Sequence, residues 1–296
     1  MNASGWTGLT SAPPDPPELP EGLNPRWPAW SAPVALVASF FAISFALSPL
    51  LPLFLLAEID AGATLGAGFL LLAIVVQDAA FVGMALAFAT IWVRPQPWHF
   101  GLRATRAGPT IGWAALALGA LVAFEFAYFE LLGVDEGNVD DLGADEGLLA
   151  ALAVALAVIV VAPVTEEFFF RGFFYRALRT RLRVPAAASI DGVVFGALHF
   201  EGFDTALALP VIALYGAVAC LVYEHTGSLF SVIAIHAAFN TLANSLSGGG
   251  VAVSVVVGVT VVVACVLVPR RLGHGPPPFR GAAPRRRRAA SAPATA

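Results

Sequence analysis

The sequence predicts an all-α protein, a polytopic membrane bundle of about eight transmembrane helices with both termini in the cytosol. Three observations carry this prediction. Long uncharged apolar runs recur along most of the chain, and 58% of its residues are hydrophobic, which suits helices that cross a bilayer. Only 12% of the residues are charged, against about a quarter in soluble domains. The charges that remain are sorted by sign between alternate loops. A soluble enzyme is excluded, and so is a β-barrel, because the apolar runs are continuous rather than alternating.

Residues 1–33 contain eight prolines and little periodic apolar pattern, so a disordered arm is expected there. A bundle over 34–268 follows, with spans expected at 34–57, 66–93, 110–132, 148–179, 185–203, 205–224, 228–246 and 251–268. The fourth is too long for one crossing, and its last turns are expected in the cytosol. Pro163 should kink it. The fifth is short and contains Asp191, but Gly192 and Gly196 form a G-x-x-x-G that lets two helix backbones approach closely. Residues 269–296, rich in Pro, Ala and Arg, form a second disordered tail.

With both termini in the cytosol, Arg94, Arg103, Arg106, Arg176, Arg179, Arg181 and Arg183 all fall inside. The outer loops then hold Glu58 and Asp60, the acidic run from Asp135 to Glu146, and Glu201 and Asp204, with no arginine. This is the distribution of the positive-inside rule. The basic tail, with Arg270, Arg271, Arg280 and Arg285 to Arg288, points to anionic lipid at the plasma membrane rather than to nucleic acid. Cys220 and Cys265 lie within apolar runs and read as buried small hydrophobes. The first residues lack the pattern of a cleaved signal peptide.

Ionisable groups within spans are costly and need a reason. In the fourth span Glu167 and Arg171 stand at i and i+4, where they can neutralise one another. Glu166 is rotated by about 100° and lacks a partner on its own helix, as suits a general base. His199 ends the fifth span. His236 and Asn240, again at i and i+4, share a face of the seventh. Measured from the inner ends of their spans, Glu166, His199, His236 and Asn240 lie at ~20, ~21, ~12 and ~18 Å along the helix axes, so all four can meet within one bilayer core. Hydrogen-bonding glue between helices is the simpler alternative. A zinc set of Glu166, His199 and His236 is a further one, although no H-E-x-x-H is present.

The ordered trio E-E-x-x-x-R (Glu166, Glu167, Arg171), F-x-x-x-H (Phe195, His199) and H-x-x-x-N (His236, Asn240) resembles the CPBP family of intramembrane endopeptidases, the CAAX protease and bacteriocin-processing or Abi proteins. The resemblance covers about 148–246 and implies an eight-helix bundle with a cavity among its core helices. It also implies hydrolysis of peptide bonds in membrane-anchored substrates, of which prenylated CAAX proteins and leader peptides are two classes. On that basis Glu166, assisted by His199, would activate water, and His236 and Asn240 would stabilise the oxyanion. Glu167 and Arg171 would support the helix and its charge. No cofactor is required in this reading, and zinc stays open. Two other classes compete with it. One is a proton-coupled transporter using Asp78, Glu125, Glu130 and Asp191, although no repeat is evident. The other is a non-catalytic scaffold or immunity protein of the same fold.

Overall fold

The computed structural model describes residues 25–50, 52, 63–105, 107–133, 147–200, 202, 203, 206–246 and 250–272. Helices account for nearly all of the described residues, and none is in a strand. Eight apolar helices match the eight expected spans. They are α1 (Ser31–Leu47), α2 (Ala63–Trp92), α3 (Ala107–Leu132), α4 (Leu148–Arg179), α5 (Val184–Ala197), α6 (Leu209–Thr226), α7 (Leu229–Leu246) and α8 (Val251–Leu267). Six are long and apolar enough to cross a membrane, whereas α1 and α5 are shorter. Large apolar side chains such as Phe45, Leu131 and Leu149 point outward and stay exposed. Hydrocarbon covers such an exterior at no cost and water does not, so this is an integral multi-pass membrane protein.

Several boundaries differ from expectation for local reasons. Helix α1 ends at Leu47, shortly before Pro49, which supplies no amide to continue it, and the last residues of the expected span, 53–57, lie outside the described residues. The fifth ends at Ala197, where the amides of Leu198 and His199 fold back on Val194 and Gly196, so His199 sits in the turn beyond it rather than inside a span. Nor is the N-terminal arm featureless up to residue 33. Trp27 is fully buried, with its ring 5.2 Å from Phe100 and 5.1 Å from Phe173, and α1 begins at Ser31. The acidic outer loops at 134–146 and the basic tail beyond 272 lie outside the described residues.

Helix α4 is the axis of the bundle and packs against α1, α2, α5, α6, α7 and α8. Its aromatic run, Phe169, Phe170, Phe173, Phe174 and Tyr175, is buried. Phe169 meets Phe81 of α2 at 4.9 Å and Phe170 meets Phe195 of α5 at 5.1 Å, so these rings are helix packing rather than a lipid-facing slot. The winding is irregular: 156–161 and 168–175 run as π-helix. The first of these segments precedes Pro163, and there the Ala162 amide reaches back to the Ala157 carbonyl. The π register would next ask the Val158 carbonyl to accept from residue 163, but proline has no N–H to give. The expected effect of Pro163 thus takes the form of a π segment.

Helices α5 and α6 pack closely in the bundle's interior. A Cβ on Gly192 would lie 2.5 Å from the Ala213 carbonyl and 2.7 Å from the Ala217 amide, and one on Gly216 would lie 2.8 Å from the Gly192 Cα. The G-x-x-x-G therefore works as expected, with Gly216 as its counterpart. Gly192→Ala should destabilise the protein by about 1–3 kcal/mol, as overpacking does, read as a lower thermal midpoint in detergent. Exposed Gly83→Ala, with open space at its Cβ, should instead hold or raise the midpoint, since alanine favours a helix interior by up to about 1 kcal/mol over glycine.

Between α2 and α3 the chain makes a short turn of 3₁₀ helix, Pro97–Phe100, in which the Nδ1 of His99 accepts the Gln96 amide at 3.1 Å. Burial, reinforced by the nearby Arg176 charge, pulls this imidazole from its ordinary 6.5 down to about 4. A histidine held neutral in the fold and free to protonate when unfolded stabilises the fold fully above about pH 6.5. It loses that contribution as the pH falls towards 4. The thermal midpoint of the wild type should therefore fall more steeply over this interval than that of His99→Gln.

Candidate active site

Consecutive residues on a helix point about 100° apart, and Glu166 and Glu167 show what that separation does. Glu167 faces the bundle interior with no solvent exposure. Its Oε1 accepts from Arg171 Nη1 at 3.1 Å and from the Tyr215 hydroxyl at 2.8 Å, and it lies 2.9 Å from His236 Nδ1. A carboxylate only accepts, so Nδ1 of His236 carries a hydrogen and its Nε2 is turned the other way. That Nε2 lies 3.9 Å from Oε2 of Glu166. This Glu166 oxygen is buried and has no hydrogen-bond partner among the described residues, as is the case for the second oxygen of Glu167.

Arg171 balances this acidic interior. Besides Glu167 it reaches the Gly216 carbonyl at 2.9 Å and lies 3.4 Å from Asp191, every group fully buried. Its guanidinium stacks 4.5 Å from the Phe195 ring centre, a cation–π contact that strengthens when both partners are desolvated. The expected Glu167–Arg171 pair is present. Asp191, the feature that made the fifth span look weak, is matched by a cation from α4.

The remaining expected residues sit one step further out. His199 is half-buried, and its Nδ1 lies 2.8 Å from the Phe195 carbonyl, so Nδ1 donates and the ring's lone pair is on Nε2. The Phe195 ring links the two imidazoles, with centroids 4.8 Å from His199 and 6.0 Å from His236. Asn240 stands one turn beyond His236 and donates from Nδ2 to the Val158 carbonyl at 2.8 Å. This is the carbonyl that Pro163 leaves without a helical donor. The structure thus brings Glu166, Glu167, Arg171 and His236 into one cluster, attaches His199 through Phe195, and ties Asn240 to the π segment of α4.

Sequence reasoning missed Tyr215, an aromatic in an apolar span with no spacing signal, and the Gly216 carbonyl, which no side-chain pattern can report. It gave Asp78 a place only in the transporter alternative. Asp78 is buried on α2 and accepts from the Thr165 hydroxyl at 2.8 Å. Among the described residues no three His, Cys, Asp or Glu groups come together in an arrangement that could hold a metal ion. Glu166, His199 and His236 do not form such a group in this arrangement.

Fold and cluster together define a class: an integral membrane helical bundle with a buried acid–histidine centre on its central helix. Residues 148–242 match the family model described as Type II CAAX prenyl endopeptidase Rce1-like. The match spans α4 through most of α7, less than half of the chain, and contains every motif residue of the resemblance drawn above, with which it agrees. By that description the matching family is one of proteases. No match was found among curated proteins or among solved structures.

Removing a cation that serves two buried carboxylates costs about 3–5 kcal/mol, because the charges left behind are unpaired. Arg171→Met should therefore abolish monodisperse protein in detergent or lower its thermal midpoint sharply. Arg171→Lys, which keeps the charge but not the planar fork, should fall between the two. Size-exclusion profiles and thermal melts of the three proteins give the order.

Proposed function

We propose that this protein is an intramembrane endopeptidase that hydrolyses peptide bonds of membrane-associated substrates with a water activated by Glu166. One observation carries the reading. A glutamate on the central membrane helix is buried with an oxygen that no donor occupies, and that oxygen faces the Nε2 of a histidine whose other nitrogen is fixed by a second glutamate. A base needs a lone pair that is not already engaged. The second oxygen of Glu167 also has one among the described residues, but that carboxyl is committed to Arg171, Tyr215 and His236 through Oε1, and Glu166 is not.

In this reading Glu166 takes a proton from water as the oxygen attacks the peptide carbonyl carbon, and His199 accepts the water's second hydrogen bond at Nε2. The oxyanion forms beside Nε2 of His236, and the amide hydrogen of Asn240 not held by Val158 donates to it. When the intermediate collapses, the C–N bond breaks and the proton held by Glu166 passes to the leaving amine. Glu167 and Arg171 hold His236 and the helix in place. The family match supports a prenylated CAAX-type protein as the substrate class, with leader peptides as the second. Entry from the cytosolic side, residence in the plasma membrane and anchoring of the Arg-rich tail on anionic lipid complete the proposal. No metal takes part in it.

Membranes containing wild type or Glu166→Gln, each with and without a zinc chelator, provide the test through new peptide termini counted by mass spectrometry. Loss of a general base slows such a reaction by about 10²–10⁴-fold. Termini present in the wild type, absent in Glu166→Gln at equal expression and retained with chelator are the expected result. Loss with chelator would transfer the mechanism to a metal. Equal termini in wild type and variant would overturn the proposal in favour of a scaffold or a carrier.

A further inference from the structure

Helix α2 carries one ionisable residue, Asp78, and it lies outside the stretch that matches the endopeptidase family. Asp78 is 2% exposed, and among the described residues no cation forms an ion pair with it. Its Oδ1 accepts from Thr165, and its Oδ2 is buried without a hydrogen-bond partner. A carboxyl kept inside a membrane helix under these conditions is expensive, and such residues mark functional sites by default.

What Asp78 holds is the residue before Glu166. The Thr165 hydroxyl also lies 2.9 Å from the Val161 carbonyl and 3.2 Å from that of Ala162, the usual partners of a threonine within a helix. Its contact with Asp78 is the shortest of the three and the only one that leaves α4. Helix α2 packs along this part of α4.

We propose that Asp78 is a positioning residue for Glu166: its carboxyl fixes Thr165, and with it the turn that carries Glu166, against α2. The proposal rests on the reading of Glu166 as the base. It also means that the centre is completed by a span on which the family motifs are silent.

The test compares wild type, Asp78→Ala, Asp78→Asn, Thr165→Val and the double variant Asp78→Ala/Thr165→Val in membranes. Asn keeps an oxygen that can accept from Thr165, whereas the other changes remove one end of the bond. Each of Asp78→Ala and Thr165→Val should slow the appearance of Glu166-dependent termini about tenfold, as expected for a misplaced catalytic group. The double variant should be no slower than either single change, and Asp78→Asn should stay near wild type.

A second readout needs no substrate. A hydrophobic carbodiimide labels carboxyls inside the membrane, and its adduct on Glu166 can be followed by mass spectrometry. Labelling of Glu166 should become severalfold faster in Asp78→Ala and Thr165→Val and stay unchanged in Asp78→Asn. Wild-type labelling and wild-type termini in folded Thr165→Val would overturn the proposal even if Asp78→Ala fails to fold. If no termini depend on Glu166, the endopeptidase reading falls, and the labelling still decides whether Asp78 positions Glu166.

Discussion

The interior of this bundle depends on Arg171. A guanidinium with no solvent exposure inside a membrane helix is tolerable only when its charge is matched by nearby acceptors and carboxylates. Here one nitrogen meets Glu167 on the same helix, and another meets the Gly216 carbonyl of α6 beside Asp191 of α5. Aromatic rings from α4, α5 and α6 enclose it. A single side chain therefore ties three helices together and lets two carboxylates remain in the core. The glycines follow from the same demand. A Cβ on Gly216 would come within 3.1 Å of the guanidinium as well as against Gly192, so the residue that lets α5 and α6 close up also clears the path to its own carbonyl.

The second constraint is Pro163. It stands three residues before the glutamate pair and removes one amide from the middle of α4. The helix widens to a π register before it, and the Val158 carbonyl finds its donor on α7 instead, in Asn240. The H-x-x-x-N face of α7 thus makes two contacts with α4 at two levels, His236 with Glu167 and Asn240 with the π segment. Those contacts set the rotation of α7 and hence the direction of the His236 ring. An asparagine that an oxyanion requires would also serve as the clamp that aims the histidine beside it.

Much of this was legible in the sequence, and the limit falls at one kind of information. Spacing within a helix reports neighbours on that helix, so the Glu167–Arg171 pair, the shared face of His236 and Asn240 and the close approach at Gly192 all emerged from i and i+4 arithmetic. Apolar runs located all eight helices. Contacts between helices carry no such signature. Asp191 looked like a flaw in its span because its cation comes from α4, Tyr215 looked like ordinary packing, and Asp78 had no visible partner because Thr165 lies 87 positions away. Two features were local and readable. Pro49 marks a break after the first helix, and a tryptophan beside the first apolar run, Trp27, is a side chain that seeks burial.

Two adjacent carboxyls of identical chemistry come to differ through rotation alone. Glu167 turns into the sector where α6 and α7 supply Tyr215 and His236, and its own helix adds Arg171 one turn on. Three donors on one oxygen make it a poor acceptor of anything further. Glu166, one residue earlier, turns into a sector where the nearest ionisable partner is the far nitrogen of that same histidine, at 3.9 Å. The ring between them transmits the difference: by engaging Nδ1, Glu167 determines which nitrogen faces Glu166. An exchange of the two roles would require α4 to rotate by about 100°, and that would break the Arg171 contacts to α5 and α6. The electrostatic anchor of the fold and the orientation of the candidate base are therefore one constraint, fixed by the same turn of helix.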